Sequence, residues 1–229
     1  MHLLLTRGHP VYSAILPSTG PGNTKNVTAQ VDAEYVRKHM LLPILDTEGH
    51  DVVVVMHSYS GIPGSAAAYG PGKKDREAAG KTTSVLGQIY IASLLEPSGI
   101  LTYADPGPPL YSDVTPLLFQ SAIVNSTLCP SYASWHLPYP RASWDQESFK
   151  RKIAFIRTLN DTGIPLQFQD MFMQNIGEEW MVRDMDTGHS PQLVQPERVC
   201  DVLIELARGF GLFDDWFLRQ SENEDRKKP

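Results

Sequence analysis

Ser58, Asp161 and His189 are the residues in this chain whose types and order suit nucleophilic acyl transfer. A serine hydroxyl attacks a carbonyl only when a base takes its proton, and an imidazole acts as that base best when a carboxylate fixes its tautomer and stabilises the imidazolium. Each residue also has a blander reading. Ser58 would then be a polar turn after a buried strand, Asp161 a turn or helix-capping residue, and His189 a loop histidine bonded to backbone. Asp170 is a rival acid, ranked lower because it falls inside an expected helix. Among the other histidines, His57 adjoins the serine but is expected to point to the opposite side of its strand end. His2, His9, His39, His50 and His136 lack a strand-end setting. The order and the matching structural slots, taken together, favour the triad.

Those slots belong to three strand-to-loop junctions. Asp51 to Gly64 reads DVVVVMHSYSGIPG, a β-branched run expected to be a strand buried on both faces, followed at once by a small-residue helix with Pro63 near its start. A serine on the sharp turn between them projects from the backbone. The helix N-terminus there favours negative charge developing on a substrate oxygen. Asp161 follows the strand signal of Ile153 to Leu159, with Pro165 opening the next helix. His189 lies in MDTGHSP, between a last short strand, Trp180 to Met185, and the clearest helix of the chain, Pro196 to Arg208.

The remaining pattern also suits a parallel sheet. Met1 to Thr6 reads as the end of a helix, stopped at Arg7-Gly8-His9, and Val11 to Leu16 as a short strand before a Gly/Pro loop over residues 17–26. Val31, Tyr35, Leu42 and Leu45 mark one face of a helix from Val27 to Asp46, kinked at Pro43 and ended by Gly49. Lys73 to Lys81 is expected to be a charged, exposed connection, and Val85 to Ala92 a second buried strand. Alternating strands and helices imply an α/β fold, a mostly parallel sheet with helices on both faces. The stretch from 97 to 143 is rich in proline and aromatics without a sustained period, so it is expected to be a lid insertion. After it, Ser143 and Gln146 suggest a capping box for a short helix, and Pro165 to Asn175 another helix. The domain is expected over 1–220, with a disordered tail over 221–229.

Twenty Lys+Arg against 26 Asp+Glu give a net charge of -6, with the basic residues scattered except at the C-terminal end. That argues against nucleic acid or an anionic membrane as partner. Cys129 and Cys200 belong to no CxxC or zinc-ligand cluster, so neither a disulfide scaffold nor a metal is expected. No other cofactor is implied. The opening MHLLLTR is too short for a signal-peptide core, and no run approaches a membrane span, so a soluble, cytoplasmic protein is expected. The oligomeric state is not readable.

The stretches VVVVMHSYSGIPGS, FIRTLNDTGIP and DMDTGHSPQLVQPERV resemble the three signature regions of the α/β-hydrolase superfamily. They are most similar to the branch with plant methylesterases, hydroxynitrile lyases and fungal hydrolase-like proteins, some of them in secondary metabolism. The elbow pattern G-x-S-x-G is here Met56-His57-Ser58-Tyr59-Ser60, so both glycines are replaced. The resemblance implies hydrolysis of an ester or thioester of a hydrophobic small molecule through an acyl-enzyme. Ser58 would be the nucleophile, His189 the acid and base, Asp161 its orienting carboxylate and the Tyr59 backbone N–H an oxyanion donor.

It also implies a second oxyanion donor from a Gly-rich loop after an early strand. This chain has no such stretch and opens as if inside the following helix, as though the fold lacked its first strands. The Val11 to Leu16 strand would then pair directly with the valine strand, or leave its backbone groups unpaired. Losing one oxyanion donor lowers turnover by about 10²- to 10³-fold, unless Arg7-Gly8-His9 or the 17–26 loop supplies a substitute. Three functions therefore stay open: a serine esterase, a lyase or cyclase of a biosynthetic pathway on the same fold, and a catalytically impaired binding protein.

Overall fold

A computed structural model of the chain describes residues 1–19, 26–95, 113–114 and 130–211. Among them, four parallel strands form one sheet in the order β1-β2-β3-β4. These are β1 Val52–His57, β2 Val85–Ile91, β3 Ile153–Thr158 and β4 Met181–Met185. Each strand pairs with the next in sequence, and the register sets His57 beside Ile91, Ile91 beside Ile156, and Thr158 beside Met185. The C-terminal ends therefore lie level, and the loops that follow them meet along one edge.

Helices cover both faces, as the alternating pattern requires. On one face, α2 (Ala29–Val36) with its continuation to Glu48, α3 (Gly61–Ala67) and α6 (Leu166–Ile176) pack over Met56, Tyr90 and Phe155. On the other, after the short α7 (Pro191–Val194), α8 (Pro196–Gly209) lays Val199, Val202, Leu203 and Leu206 over Ile89, Ile91 and Ile156, and Leu4 of α1 (His2–Thr6) joins them. Fully burying a side chain such as Phe155 or Ile156 contributes about 1.5–3 kcal/mol, so the two central strands anchor the core. Strand β1 differs from the expectation of burial on both faces. It lies at the edge of the described sheet, and Val55 is 46% exposed.

Several local expectations are corrected. Val11 to Leu16 forms no strand and is largely exposed, because no described segment offers it a ladder of backbone partners. The helix starting at Ala29 continues past Val36 through wide turns over Arg37–Leu41 and Ile44–Glu48 to Gly49, whose φ of 72 ends it. Its buried face carries Ala29, Asp32, Ala33 and Leu41, while Val31 is 44% exposed. Val31 lies in the regular turns before the widening, where Ala29, Asp32 and Ala33 take the inward face, while Leu45 of the expected face is buried. The charged connection is in part a helix, α4 (Lys73–Ala78), with Arg76 buried against Asp46 and Thr83. Ser143 and Gln146 form no capping box; Gln146 accepts instead from the Gly70 N–H, and only the short turn Glu147–Phe149 follows.

Of the expected insertion, 97–112 and 115–129 lie outside the described residues, as does the tail from 212. The described portion from 130 carries α5 (Tyr132–His136) and sends Tyr139, Ala142 and Trp144 into the main core. No helix among the described residues is long and apolar enough to cross a membrane.

Candidate active site

Ser58 sits where β1 turns into the short helical turn Ser58–Ser60 and then α3, with a φ of 55. A non-glycine residue in that left-handed region is strained, and such strain concentrates where structure is held for function. The surroundings hold it firmly. Ser60 Oγ accepts from the His57 N–H at 2.8 Å and donates to the His57 carbonyl at 2.7 Å. The Ser58 carbonyl accepts from the Leu94 N–H at 3.1 Å and from Ser93 Oγ at 2.8 Å.

The two missing glycines of the elbow are compensated nearby. A Cβ added at Gly64 would lie 2.6 Å from Met56 Cγ, so the bulk gained at position 56 is matched by the bare backbone of α3. A Cβ at Gly61 would lie 2.2 Å from Ser93 Oγ and 2.4 Å from the Leu94 carbonyl. The glycine that follows Ser60 thus provides the close approach between elbow helix and sheet.

Asp161 and His189 meet. The Nδ1–H of His189 donates to Asp161 Oδ2 at 2.8 Å, and both side chains are buried. The carboxylate is otherwise saturated: Oδ1 accepts from the N–H groups of Gly163 and Ile164, each at 2.8 Å, and Oδ2 from Thr158 Oγ1 at 2.9 Å. Burial alone would push this carboxyl up. The bonds from His189, the Ile164 backbone and Thr158 outweigh that and hold it below the ordinary aspartate value. Gln169 of α6 braces the turn from behind, bonding the backbone of Thr158 and the carbonyl of Ile164. The rival Asp170 points elsewhere and pairs with Arg157 at 2.8 Å.

With Nδ1 committed to Asp161, the other ring nitrogen of His189, Nε2, is buried and has no hydrogen-bond partner among the described residues. Ser58 and His189 are not hydrogen bonded to each other here; in structures without substrate such contacts are often long and tighten on binding. Tyr59 N–H occupies the first turn of the elbow helix, where helical N–H groups have no intrahelical partner.

One participant is missed by the sequence reading. His57 faces His189: its Nε2–H donates to the His189 carbonyl at 2.7 Å, and the ring centroids lie 4.8 Å apart. By strand alternation His57 shares a face with Val53, which packs against the α8 cluster. The loop carrying His189 leads towards that helix and meets His57 at the end of β1. Burial, and then the neighbouring His189, hold the His57 imidazole down to about 4, so it is neutral near pH 7.

Two described groups of the expected substitute segments are otherwise engaged, and residues 20–25 of the 17–26 loop lie outside the described residues. Arg7 pairs with Asp201 on α8 at 2.5 Å, and the Ser18 N–H donates to Asp32 at 2.8 Å. Among the described residues, no group of three or more His, Cys, Asp or Glu is arranged to hold a metal ion.

A parallel sheet with a strained serine after one strand, and an acid and a histidine joined beyond two others, defines the class of α/β-hydrolase folds. Residues 1–202 match the model of the Alpha/beta hydrolase family, and the chain belongs to that family. Its fold is shared by a pyrethroid hydrolase from Sphingobium faniae JZ-2, with a TM-score of 0.59 at 18% identity over 90% of this chain and 89% of that one. Polyneuridine aldehyde esterase aligns with a TM-score of 0.64 at 17% identity, over 90% of this chain and 91% of that one. A methylesterase from Arabidopsis aligns with a TM-score of 0.62 at 16% identity, over 90% of each chain. No curated protein matches by sequence.

Proposed function

We propose that the chain is a serine hydrolase that cleaves a carboxylic ester or thioester of a hydrophobic small molecule, with Ser58 as nucleophile, His189 as general base and acid, and Asp161 as its orienting carboxylate. The observation that carries this reading is the buried Nε2 of His189, unpartnered among the described residues, on an imidazole whose Nδ1 is tied to Asp161. A neutral imidazole held in that tautomer presents a lone pair and is ready to accept a proton. The structural neighbours named as a hydrolase and as esterases support the same chemistry.

Ser58 Oγ adds to the substrate carbonyl carbon as its proton passes to His189 Nε2. The negative charge on the carbonyl oxygen is met by the Tyr59 N–H, and the imidazolium by Asp161. Collapse of the tetrahedral intermediate breaks the bond to the alcohol or thiol, which leaves with the proton from Nε2. Water then repeats the sequence on the acyl-enzyme: its proton goes to Nε2 and on to Ser58 Oγ as the acid is released.

A second reading keeps the fold but makes the chain a weak catalyst that mainly binds. The engagement of Arg7 by Asp201 and of the Ser18 N–H by Asp32 favours it, since neither is free to complete the oxyanion site. A fluorophosphonate probe separates the two. Ester hydrolysis predicts covalent labelling at Ser58, lost in Ser58→Ala with the fold intact by circular dichroism. Absence of labelling in well-folded wild-type protein selects the binding reading. Product analysis with ester substrates then tests for net water addition, which a lyase or cyclase would not give.

A further inference from the structure

We infer that His57 is a positioning residue for His189, holding the base in register with the nucleophile through the backbone carbonyl of residue 189. The inference rests on the serine-hydrolase reading above and adds a residue that reading does not use.

The geometry carries it. His57 is the last residue of β1, in extended conformation and in register with Ile91 of β2, and its backbone N–H and carbonyl are both bonded to Ser60 Oγ. It is therefore a rigid post. From that post Nε2–H reaches 2.7 Å to the His189 carbonyl. The base is thus fixed at two points: its side chain from the turn after β3, through Asp161, and its backbone from the end of β1. Strand β1 also delivers Ser58, the very next residue. The nucleophile and one tether of its base consequently share a single piece of backbone, and displacement of one relative to the other is restrained directly.

The contact makes a specific demand on His57. Its proton must sit on Nε2, since a carbonyl oxygen only accepts. The ring must also remain neutral while the neighbouring His189 becomes an imidazolium in the reaction, because two adjacent imidazolium ions repel. The groups that act on it electrostatically are His189, which disfavours its protonation, and Asp161, which favours it; burial outweighs both.

Two measurements test this. In wild-type protein with ¹⁵N-labelled imidazoles, NMR is expected to show His57 as a single Nε2–H tautomer, protected from exchange at pH 7. An Nδ1–H tautomer would overturn the proposal without any variant. Second, fluorophosphonate labelling is followed against pH in His57→Leu, which loses the donor, and in His57→Gln, which keeps one at the same reach. The Leu variant is expected to label about 10- to 100-fold more slowly, the scale of a misplacement near 1 Å, with a displaced pH midpoint. The Gln variant is expected to recover most of the rate. His57→Phe replaces Leu should Leu not fold. Wild-type rate and midpoint in a folded donor-less variant would overturn the proposal. If wild-type protein does not label, the serine chemistry fails instead. The ring titration of His189 by NMR then decides the positioning role: a changed midpoint in the Leu variant supports it and an unchanged one overturns it.

Discussion

At the scale of single residues, the site is a problem of charge held out of water. The Asp161 carboxylate accepts four hydrogen bonds, three of them from the body of the protein, and the fourth fixes the tautomer of His189. Asp161→Asn offers an amide where a carboxylate is needed and favours the wrong tautomer. It is expected to cut the labelling or turnover rate by about 10³- to 10⁴-fold while the protein remains folded, as measured by single-turnover kinetics alongside thermal melts. Acid should destabilise the protein in two stages. His57 ordinarily titrates at 6.5 but at about 4 in the fold. Above 6.5 both folded and unfolded states leave it neutral, and as the pH falls towards 4 the unfolded state alone takes up the proton, a loss of up to about 3 kcal/mol. Asp161 lies below its ordinary 3.8, so its contribution is present above that value and is lost as the pH falls below it. Urea denaturation from pH 7 to pH 4 should show the first stage, and His57→Gln should flatten it.

At the scale of elements, the elbow shows how close packing can move without being lost. Met56 fills a position where the motif has glycine, and Gly64, one element away, leaves the space it needs. Gly64→Ala is expected to cost about 1–3 kcal/mol by overpacking. Combining it with Met56→Ala should restore part of that, so that the two changes are non-additive in a double-mutant cycle read by thermal denaturation. Gly61→Ala has no such rescue, because the nearest obstacles include the Leu94 backbone carbonyl. Ser93 and Leu94 also bond the Ser58 carbonyl, so this variant should lose probe labelling as well as stability.

At the scale of the whole molecule, one buried carboxylate joins segments distant in the chain. Asp32 on α2 is fully buried and accepts from Ser18 N–H at 2.8 Å, Ser18 Oγ at 2.5 Å and Tyr59 Oη at 2.8 Å. Tyr59, the residue after Ser58, also packs on Trp135 of α5. Burial, and then the charge on Asp32, push the Tyr59 phenol well above its ordinary value, so it serves as a donor throughout the accessible pH range. Asp32→Ala would strand three donors in the core and is expected to cost about 3 kcal/mol or more. Asp32→Asn, which keeps an acceptor, should cost less. Chemical denaturation of the two variants at pH 7 checks the order, and labelling of Ser58 should weaken in both if Tyr59 sets the elbow.

The sequence alone determined the alternation of strands and helices, because β-branched runs and 3.6-residue periodicity are local properties. It also marked where Ser58, Asp161 and His189 leave their strands, since each junction carries its own turn residues. The Asp161 to His189 contact was legible because level strand ends bring successive loops together. Tertiary structure decided the rest. Val11 to Leu16 has the composition of a strand, but no described segment pairs with it. The face of α2 follows from a buried Asp32 bonded to Ser18 and Tyr59, which no periodicity of apolar residues announces. His57 meets His189 because the loop after β4 comes back to the end of β1, and where a distant loop lands is written in no local stretch of sequence.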